Sequence, residues 1–311
     1  MSASAANESD ADLERRFGGL RRLYGERGYA RLRAARFVVV GLGGVGSWAV
    51  EALARCGVAE LVLIDLDHIA ESNIHRQVQA LTPTLGQSKV QALAARIALI
   101  HPGCRVHGVE EFVSPDNWPA LLQGVGVGAI DGLIDACDQV RAKEALARWS
   151  LAVGVPLVSV GAAGGKQRAE AVGVADLVDV THDPLLAALR QRLRKTGAVP
   201  RVAGNKSNVS ISTAGARAAS TGVLCVFSRE PVAQPLAAES AGTHQRASER
   251  ARASEPPGGA RHIAGEAEPA PTAAVIDGSL NCHGYGSSVM VTATFGMVAA
   301  GAAVAQLLGP H

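Results

Sequence analysis

Residues 37–47 read FVVVGLGGVGS, a short apolar run followed at once by closely spaced glycines. Apolar, mostly β-branched residues in a row are typical of a buried parallel strand. Gly41, Gly43 and Gly46 fit the G-x-G-x-x-G spacing, which lets the backbone turn tightly and approach a phosphate. Apolar residues then recur at helical spacing, so the N-terminus of a helix faces any ligand above the glycines. We predict a nucleotide site on an α/β sheet.

The composition of the 311-residue chain limits the classes of protein to which it can belong. Hydrophobic residues make up 48% and charged residues 19%, as in a packed globular protein. A net charge of +2 argues against a uniformly basic nucleic-acid binder, but not against a local basic patch. The five cysteines include no C-x-x-C pair, and no apolar stretch typical of a secretory signal opens the sequence. We therefore expect a cytoplasmic protein.

Further strand and helix patterns follow and place carboxylates at strand ends. Residues 61–64 form a second apolar run that leads into Asp65, about twenty residues past the glycines, where an acid can bind ribose hydroxyls. Residues 132–134 form another, which leads into Asp135. The pattern predicts a Rossmann-like, mostly parallel sheet with a glycine-rich phosphate loop and a C-terminal extension that completes the substrate side. An NAD-dependent dehydrogenase explains these features equally well.

Polar and cationic residues beyond the second strand favour a triphosphate. Asn73 and Arg76 lie in a polar loop, and Lys89 begins the next amphipathic segment. Backbone amides largely hold the pyrophosphate of a dinucleotide, whereas an Arg fork and a Lys charge suit a triphosphate whose α-phosphate is attacked. Asp135 can hold Mg²⁺ through oxygen ligands shared with the phosphates. Its alternative role, the N-cap of the helix from residue 140, fits Asp138 better.

Composition divides the chain into segments. Residues 1–12 are expected to be a disordered tail, and residues 13–180 to form the nucleotide-binding domain, which opens with an arginine-rich and mostly solvated helix. A glycine-rich stretch at 161–165 is expected to be a flexible crossover. Residues 181–311 form a C-terminal region on the substrate side, with a disordered insertion at 230–272 that is rich in Ala, Pro, Glu, Ser and Gly.

Two stretches of the C-terminal region stand out by their charge. Residues 184–229 hold no acidic residue, so this stretch is either a solvated face or a surface for a polyanion. Its cationic residues are Arg190, Arg192, Arg194, Lys195, Arg201, Lys206, Arg217 and Arg229. Residues 285–308 are uncharged and long enough to span a bilayer, which leaves membrane association open. Their many small residues and the lack of flanking Lys or Arg favour a helix buried in the core or in a subunit interface.

Taken in order, the glycine loop and the polar residues after it resemble the ThiF/MoeB/ubiquitin-activating superfamily of adenylating enzymes. Further stretches resemble one branch, the tRNA threonylcarbamoyladenosine dehydratase (TcdA/CsdL) family. These stretches are RFGG and RLYG between residues 16 and 25, GVGSW at 44–48, FVSPDN at 112–117, CVFS at 225–228 and MVTATFG at 290–296. The resemblance covers nearly all of residues 13–308. The zinc-binding cysteine pairs of the sulfur-carrier activators are absent from the sequence, which favours the tRNA branch.

The resemblance implies that residues 13–180 form an ATP-binding adenylation domain, with ATP and Mg²⁺ as cofactors. It assigns nucleotide binding to Gly43, Gly44, Asp65, Asn73, Arg76 and Lys89, and the spacing of the glycine motif adds Gly41 and Gly46 to this site. It assigns catalysis to Arg76, Lys89 and Asp135, and the metal to Asp135. The implied partners are tRNA and a second copy of the chain in a homodimer. Whether a sulfur-transfer protein is a further partner is left open.

The implied reaction is ATP-dependent cyclisation of threonylcarbamoyladenosine in tRNA. Its carboxylate attacks the α-phosphate of ATP, which gives an acyl adenylate and pyrophosphate. A nitrogen of the same modification then closes a hydantoin ring and releases AMP. Because this nucleophile is intramolecular, no catalytic cysteine is required, and Cys137 and Cys225 are interpreted as structural.

Three alternatives remain open at this point. The chain could adenylate the C-terminus of a ubiquitin-like sulfur-carrier protein. It could be an NAD(P)-dependent oxidoreductase, which Arg76 and Lys89 disfavour. It could also be a non-catalytic nucleotide-binding adaptor, although an adaptor would not need the whole set of phosphate-binding residues.

Overall fold

The structure, a computed structural model, describes residues 12–199, 220–233 and 285–309. Within these ranges, seven strands form one sheet in the order β3-β2-β1-β4-β5-β7-β6. The strands are β1 (Arg36–Val40), β2 (Glu60–Ile64), β3 (Arg105–Val109), β4 (Gly132–Asp135), β5 (Leu157–Val160), β6 (Val172–Asp176) and β7 (Leu224–Ser228). All neighbouring strands pair in parallel except β6, which is antiparallel to β7. The predicted Rossmann-like, mostly parallel sheet is confirmed.

Helices cover both faces of this sheet. In the described ranges the α-helices are α1 (Leu13–Phe17), α2 (Gly19–Ala34), α3 (Gly46–Arg55), α4 (Lys89–Ile100), α5 (Ala120–Gly124), α6 (Val140–Val153), α7 (Pro184–Lys195) and α8 (Val289–Leu308). One layer contains α2, α3, α4 and α8, and the other contains α5, α6 and α7. Along β1, Phe37 and Val39 face the first layer while Val38 and Val40 face the second. Because both faces are buried, the strand is a continuous apolar run in the sequence.

The helix α8 occupies the middle of the first layer. By length and composition alone it could cross a membrane. It packs on α3 and over β4 and β5, and Val291, Phe295 and Ala299 are fully buried. A Cβ at Gly296 would lie 2.7 Å from the Cβ of Trp48 in α3, so the two helices approach closely there. This packing fits the favoured prediction of a core helix.

The arginine-rich N-terminal segment forms two helices, and part of it is fixed to the first layer. Arg16 donates to the carbonyl of Ile100 at the end of α4 (2.7 Å). Arg33 lies over the ring of Phe17, 4.8 Å from its centroid, and donates to the Gly57 carbonyl. Arg16, although exposed, and the half-buried Arg33 therefore hold this segment against the first layer, whereas the prediction of a solvated face concerned most of the arginines and not all of them.

The C-terminal region completes the same sheet and layer as the rest of the chain. The strand β7 lies between β5 and β6, and α8 packs on α3. The predicted boundary between residues 180 and 181 therefore does not separate two compact units among the described residues. The tail predicted at 1–12 lies outside those residues except for Asp12, as does the insertion predicted at 230–272 except for residues 230–233.

Candidate active site

The carboxyl ends of β1 and β4 lie side by side at the centre of the sheet. From β1 the chain continues to β2 and β3 on one side, and from β4 it continues to β5 on the other. This reversal opens a crevice above the strand ends, which is where open α/β sheets bind their ligands. The glycine loop follows β1 and borders this crevice, and Asp135 ends the neighbouring strand β4.

The glycine loop passes close to neighbouring backbone at two positions. Gly41 has a φ of +84°, and a Cβ there would lie 2.8 Å from the carbonyl oxygen of Ala136 and the amide nitrogen of Cys137. At Gly46 a Cβ would overlap the carbonyl of Gly41, because the loop closes onto the first turn of α3. Glycine is needed at both positions. The N-terminus of α3 therefore points into the crevice with its positive dipole end.

Gly44 faces two side chains from other parts of the chain. A Cβ there would lie 3.2 Å from Cδ of Arg76 and 3.3 Å from Cβ of Thr292. Sequence reasoning assigned Arg76 to the phosphates but gave no role to Thr292, which lies in the uncharged stretch at 285–308. The apolar pattern of that stretch predicts only that it is buried, and it gives no indication that one hydroxyl group within it lies at the site.

Asp65, at the end of β2, is buried and held by backbone amides. Its Oδ2 accepts from the amide of Leu42 (2.6 Å) and its Oδ1 from that of Asp67 (2.8 Å). The ammonium of Lys89 lies 2.6 Å from Oδ2 of Asp67 and 3.7 Å from Oδ1 of Asp65. Burial raises the pKa of Asp65 above its ordinary value, although Lys89 and the amides act against the increase. The carboxylate and Lys89 thus lie together beside the glycine loop.

Asn73 and Arg76 lie on the turn that follows. Oδ1 of Asn73 accepts from the Ala70 amide (3.0 Å) and shapes this turn. Nη1 of Arg76 donates to the carbonyl of Ser72 (2.7 Å), and the Arg76 carbonyl accepts from Nε1 of Trp48 (3.0 Å). The Arg76 Nε is buried and has no hydrogen-bond partner among the described residues. A donor therefore remains available beside Gly44 for an anion.

Asp135 is fully buried and already bound by its neighbours. Its Oδ2 accepts from Nζ of Lys143 (3.1 Å) and Oγ of Ser159 (2.7 Å). Its Oδ1 accepts from Sγ of Cys137 (2.9 Å), while Lys143 also donates to the Val160 carbonyl (2.7 Å). The predicted metal-binding and catalytic roles of Asp135 do not fit this geometry. The residue instead joins the ends of β4 and β5.

Asp138 is the exposed carboxylate at the same end of the sheet. It lies three residues after Asp135, in the loop that touches Gly41. The N-cap of α6 is Gln139, without a side-chain capping bond, so the interpretation of Asp138 as the N-cap is wrong. The described residues contain no group of three or more metal-binding side chains, so a cation here would need phosphate and water oxygens as well. An exposed carboxylate beside a phosphate loop fits Mg²⁺ bound in that way.

The glycine-rich crossover at 161–165 was predicted to be flexible, but in the structure it is packed. The amide of Ala162 donates to Oδ2 of Asp183 (2.9 Å), and the amide of Gly165 donates to the Gly286 carbonyl (3.0 Å). All five residues are buried, and buried backbone amides need such partners. The crossover therefore forms a fixed wall of the crevice beyond β4 and β5.

The cysteines of the described residues lie in surroundings that disfavour the reactive thiolate. Burial, reinforced by Asp135, raises the pKa of Cys137 well above its usual value. Burial also raises the pKa values of Cys56 and Cys225, and that of Cys104 to about 12. Interpretation of Cys137 and Cys225 as structural fits this environment.

Some cationic residues of the acid-free stretch at 184–229 make contacts within the protein. Arg190 donates to the carbonyls of Leu177 (3.0 Å) and Val180 (2.9 Å), and Arg192 pairs with Glu144 of α6. Two of its cationic residues, Arg194 and Lys195, lie at the end of α7. The remaining ones are Arg229, next to β7, and Arg201, Lys206 and Arg217, which lie outside the described residues.

Comparison with known proteins gives the relationship of the whole chain. The model of the ThiF family matches residues 16–310. The chain belongs to the ThiF family. Its ThiF relatives include the tRNA threonylcarbamoyladenosine dehydratase of Escherichia coli K12, 38% identical over 301 residues and covering 96% of both chains. The Haemophilus influenzae protein of the same name is 33% identical over 298 residues, covering 96% of this chain and 95% of its own.

Solved ThiF structures agree with these relatives. The E. coli dehydratase TcdA in complex with ATP has a TM-score of 0.70 and 35% identity, with 96% of each chain covered. Its complex with AMP gives the same values. The resemblance to the ThiF superfamily and its tRNA threonylcarbamoyladenosine dehydratase branch is confirmed.

Proposed function

We propose that this ThiF-family protein is an ATP-dependent tRNA threonylcarbamoyladenosine dehydratase. The observation that carries the proposal is likeness over 96% of the chain to relatives of that name. The likeness therefore extends past the nucleotide-binding part, which ThiF enzymes of other functions share, into the region on the substrate side. A tRNA-modifying enzyme is expected in the cytoplasm. A homodimer and a sulfur-transfer partner stay predictions.

ATP binds in the crevice above β1, β2 and β4. Its ribose contacts Asp65, and its phosphates lie over the glycine loop. The β- and γ-phosphates extend towards Asn73, Arg76 and Lys89. Support comes from the buried carboxylate at the end of β2, the unpaired Nε of Arg76 beside Gly44, and the Lys89 ammonium in the same pocket.

The chemistry takes two steps. A carboxylate oxygen of the modification attacks the α-phosphorus, the bond to the β-phosphate oxygen breaks, and pyrophosphate leaves towards Arg76 and Lys89. A nitrogen of the same group then attacks the activated carbonyl carbon, loses its proton, and AMP departs as the ring closes. Asp138, together with phosphate oxygens, would hold Mg²⁺, which would supply positive charge next to the leaving pyrophosphate.

We further infer that the tRNA lies along a basic face on α6 and α7. One side of α6 carries, at helical spacing, Arg141, Glu144 and Arg148. Between the two arginines, Glu144 forms an ion pair with Arg192 of α7. Lys195 follows Arg192 by one turn and is exposed. Among the described residues, Arg141, Arg148 and Lys195 form no ion pair, so their charge remains available to phosphates. Because α6 begins beside the crevice, this face leads directly away from the reaction site.

Exchange between ATP and labelled pyrophosphate tests the proposed function. We expect exchange that depends on tRNA carrying the open-chain modification, with an unmodified transcript of the same tRNA as the control. Exchange stimulated by a ubiquitin-like carrier protein would favour the first alternative. ATP binding without exchange on any acceptor would favour the adaptor. Tighter binding of NAD than of ATP in calorimetry would favour the oxidoreductase.

A further inference from the structure

The N-terminus of α8 lies between the two loops that bound the crevice. Thr292, in its first turn, faces Gly44 of the glycine loop, 3.3 Å from the position of a Cβ there. Just before the helix, the Gly286 carbonyl accepts from the amide of Gly165 in the crossover. The beginning of α8 therefore extends from the end of β1 to the end of β5, over the end of β4.

The first turn of α8 leaves hydrogen-bond donors available. The amides of Val291 and Thr292 both donate to the carbonyl of Ser288, the N-cap residue. The two amides before them, of Val289 and Met290, have no acceptor among the described residues. The Ser288 side chain makes no capping bond to the helix. A long helix with an uncapped N-terminus presents partial positive charge and free N–H groups to a ligand.

Buried hydroxyl groups at the same place lack partners. Thr292 is 1% exposed, yet its Oγ1 has no hydrogen-bond partner in the described residues. The Oγ of Ser287, just before the helix, is also buried and unpaired. Buried hydroxyls are bonded in the great majority of cases, because an unsatisfied one destabilises the folded state. Two such groups around one helix N-terminus indicate that a polar ligand normally satisfies them.

We propose that the N-terminus of α8, with Thr292 and Ser287, binds the carboxylate of the threonylcarbamoyl group. This subsite rests on the proposed function. The order of sites across the sheet selects the substrate carboxylate over an ATP phosphate. Asp65 places the ribose over β2, and Arg76 and Lys89 lie on that same side. Thr292 meets Arg76 at Gly44, and from there the residues just before α8 reach to the crossover that follows β5, on the side of the sheet away from Asp65 and Lys89.

That position suits the geometry of the first reaction step. The attacking and leaving oxygens of a phosphoryl transfer lie roughly in line, on opposite sides of the phosphorus. Pyrophosphate leaves towards Arg76 and Lys89, so the carboxylate must approach from the side of the crossover. There the amides of α8 hold one carboxylate oxygen while the other attacks.

The same donors then serve the second step. When the nitrogen attacks the acyl adenylate, the electron pair of the carbonyl bond moves onto its oxygen. The pair returns as the bond to AMP breaks, and the nitrogen loses its proton. Donors already directed at this oxygen stabilise the charge that develops on it. The subsite therefore acts in binding and in ring closure.

The decisive variant is Thr292→Val, which removes the hydroxyl at nearly constant shape. Its matched control is Thr294→Val, because Oγ1 of Thr294 already donates to the carbonyl of Met290 (2.7 Å). The probes are an anticodon stem-loop with the open-chain modification and the same RNA with its carboxylate as a methyl ester. Binding of both is measured with a non-hydrolysable ATP analogue present. Binding of ATP alone is measured separately, and thermal melting checks the fold.

Wild type and Thr294→Val are expected to bind the free carboxylate at least tenfold more tightly than the ester. Thr292→Val should lose about tenfold of that preference, the usual effect of a lost hydrogen bond to a charged group, and ring closure should slow by at least as much. Its affinity for ATP should stay within about twofold. If Thr292→Val still prefers the free carboxylate over the ester as strongly as wild type does, the proposed subsite is wrong. A tenfold loss of ATP affinity in Thr292→Val would also contradict the proposal, because it would indicate that the hydroxyl binds a phosphate. Wild type without modification-dependent exchange would instead refute the proposed function.

Discussion

At the scale of single residues, two nearby carboxylates have opposite roles. Asp135 is bound by Lys143 and Ser159 inside the protein, whereas Asp138 is exposed beside the glycine loop. The burial of Lys143 would lower its pKa, but Asp135 acts against this and the pKa is raised, so the ammonium stays charged. Asp135 is therefore a structural residue, whereas Asp138 is the residue proposed to bind the metal ion.

This contrast predicts different results for the two Asp→Asn variants. Asp138→Asn should lower the cyclisation rate by about 10²-fold, be partly rescued by high Mg²⁺, and leave thermal melting unchanged. Asp135→Asn should lower the free energy of unfolding by about 3–5 kcal/mol, because it leaves the Lys143 ammonium buried without its counter-ion. Rates and melting curves at several Mg²⁺ concentrations check both. Loss of stability in Asp138→Asn with a normal rate per folded molecule would contradict the assignment.

Lys89 combines both kinds of role. Its ammonium lies beside the carboxylates of Asp65 and Asp67, and we also propose that it binds the phosphates together with Arg76. We expect Lys89→Ala to lower the rate by about 10²-fold or more and to reduce stability, since two carboxylates then face each other. Added ATP should restore little of that stability. A well-folded variant with near-normal cyclisation would remove Lys89 from the catalytic residues.

The choice between Asp135 and Asp138 also indicates what the sequence could reveal. The glycine loop and Asp65 are encoded within a few residues of a strand, so local patterns located them. The position of the Asp135 side chain follows from the two-residue period of β4, since Leu133 and Asp135 share the face that α6 covers. The contacts of Thr292 and Lys143 depend on how distant segments meet, and neither has a local pattern.

At the scale of elements, the N-terminal helices are attached to α4 through a buried histidine. Nε2 of His101 lies 3.0 Å from Nη1 of Arg33, and its ring packs on Phe17 at 4.8 Å between centroids. Burial, together with Arg33, lowers the pKa of His101 to about 4. The folded protein therefore keeps this ring neutral over a range in which the unfolded chain protonates it.

The result is a defined loss of stability in acid. An unfolded His binds a proton below about pH 6.5, so the contribution of His101 is complete above that pH and is lost as the pH falls towards 4. Urea unfolding at pH 7.5 and 5.0 measures it. Wild type should lose more stability between these two values than His101→Phe, which has no proton to take up. Equal losses in the two proteins would remove His101 as the cause.

The contact between α8 and α3 is predicted to tolerate no added methyl group. A Cβ at Gly296 would lie 2.9 Å from the amide nitrogen of Ala49, whereas one at Gly301 meets no atom within 4 Å. Gly296→Ala should therefore lower the free energy of unfolding by about 1–3 kcal/mol, and Gly301→Ala should leave it unchanged or raise it. Chemical denaturation of both variants provides the comparison. Equal stability would mean that α8 is not seated on α3.

At the scale of the whole molecule, the two layers of helices should differ in their contribution to RNA binding. Replacing Arg148 and Lys195 with Ser should weaken tRNA binding and lower the salt slope by about one to two units. The matched control is Arg27→Ser with Arg31→Ser, two exposed arginines of α2 on the other layer. The control should keep the slope, and ATP affinity should be unchanged in both. If only the control variant shows a weaker salt dependence of tRNA binding, the RNA binds to the opposite layer of helices.

The position of α8 in the chain has a consequence for biosynthesis. Its residues follow all seven strands in sequence, yet they pack on α3, one of the earliest elements, and Thr292 lies beside the glycine loop. Contacts between such distant positions slow folding, because a long loop must close before they form. A nascent chain without α8 exposes the apolar face of α3 on the ribosome, where aggregation is a hazard. Competence for adenylation therefore appears late in synthesis, only after α8 has docked.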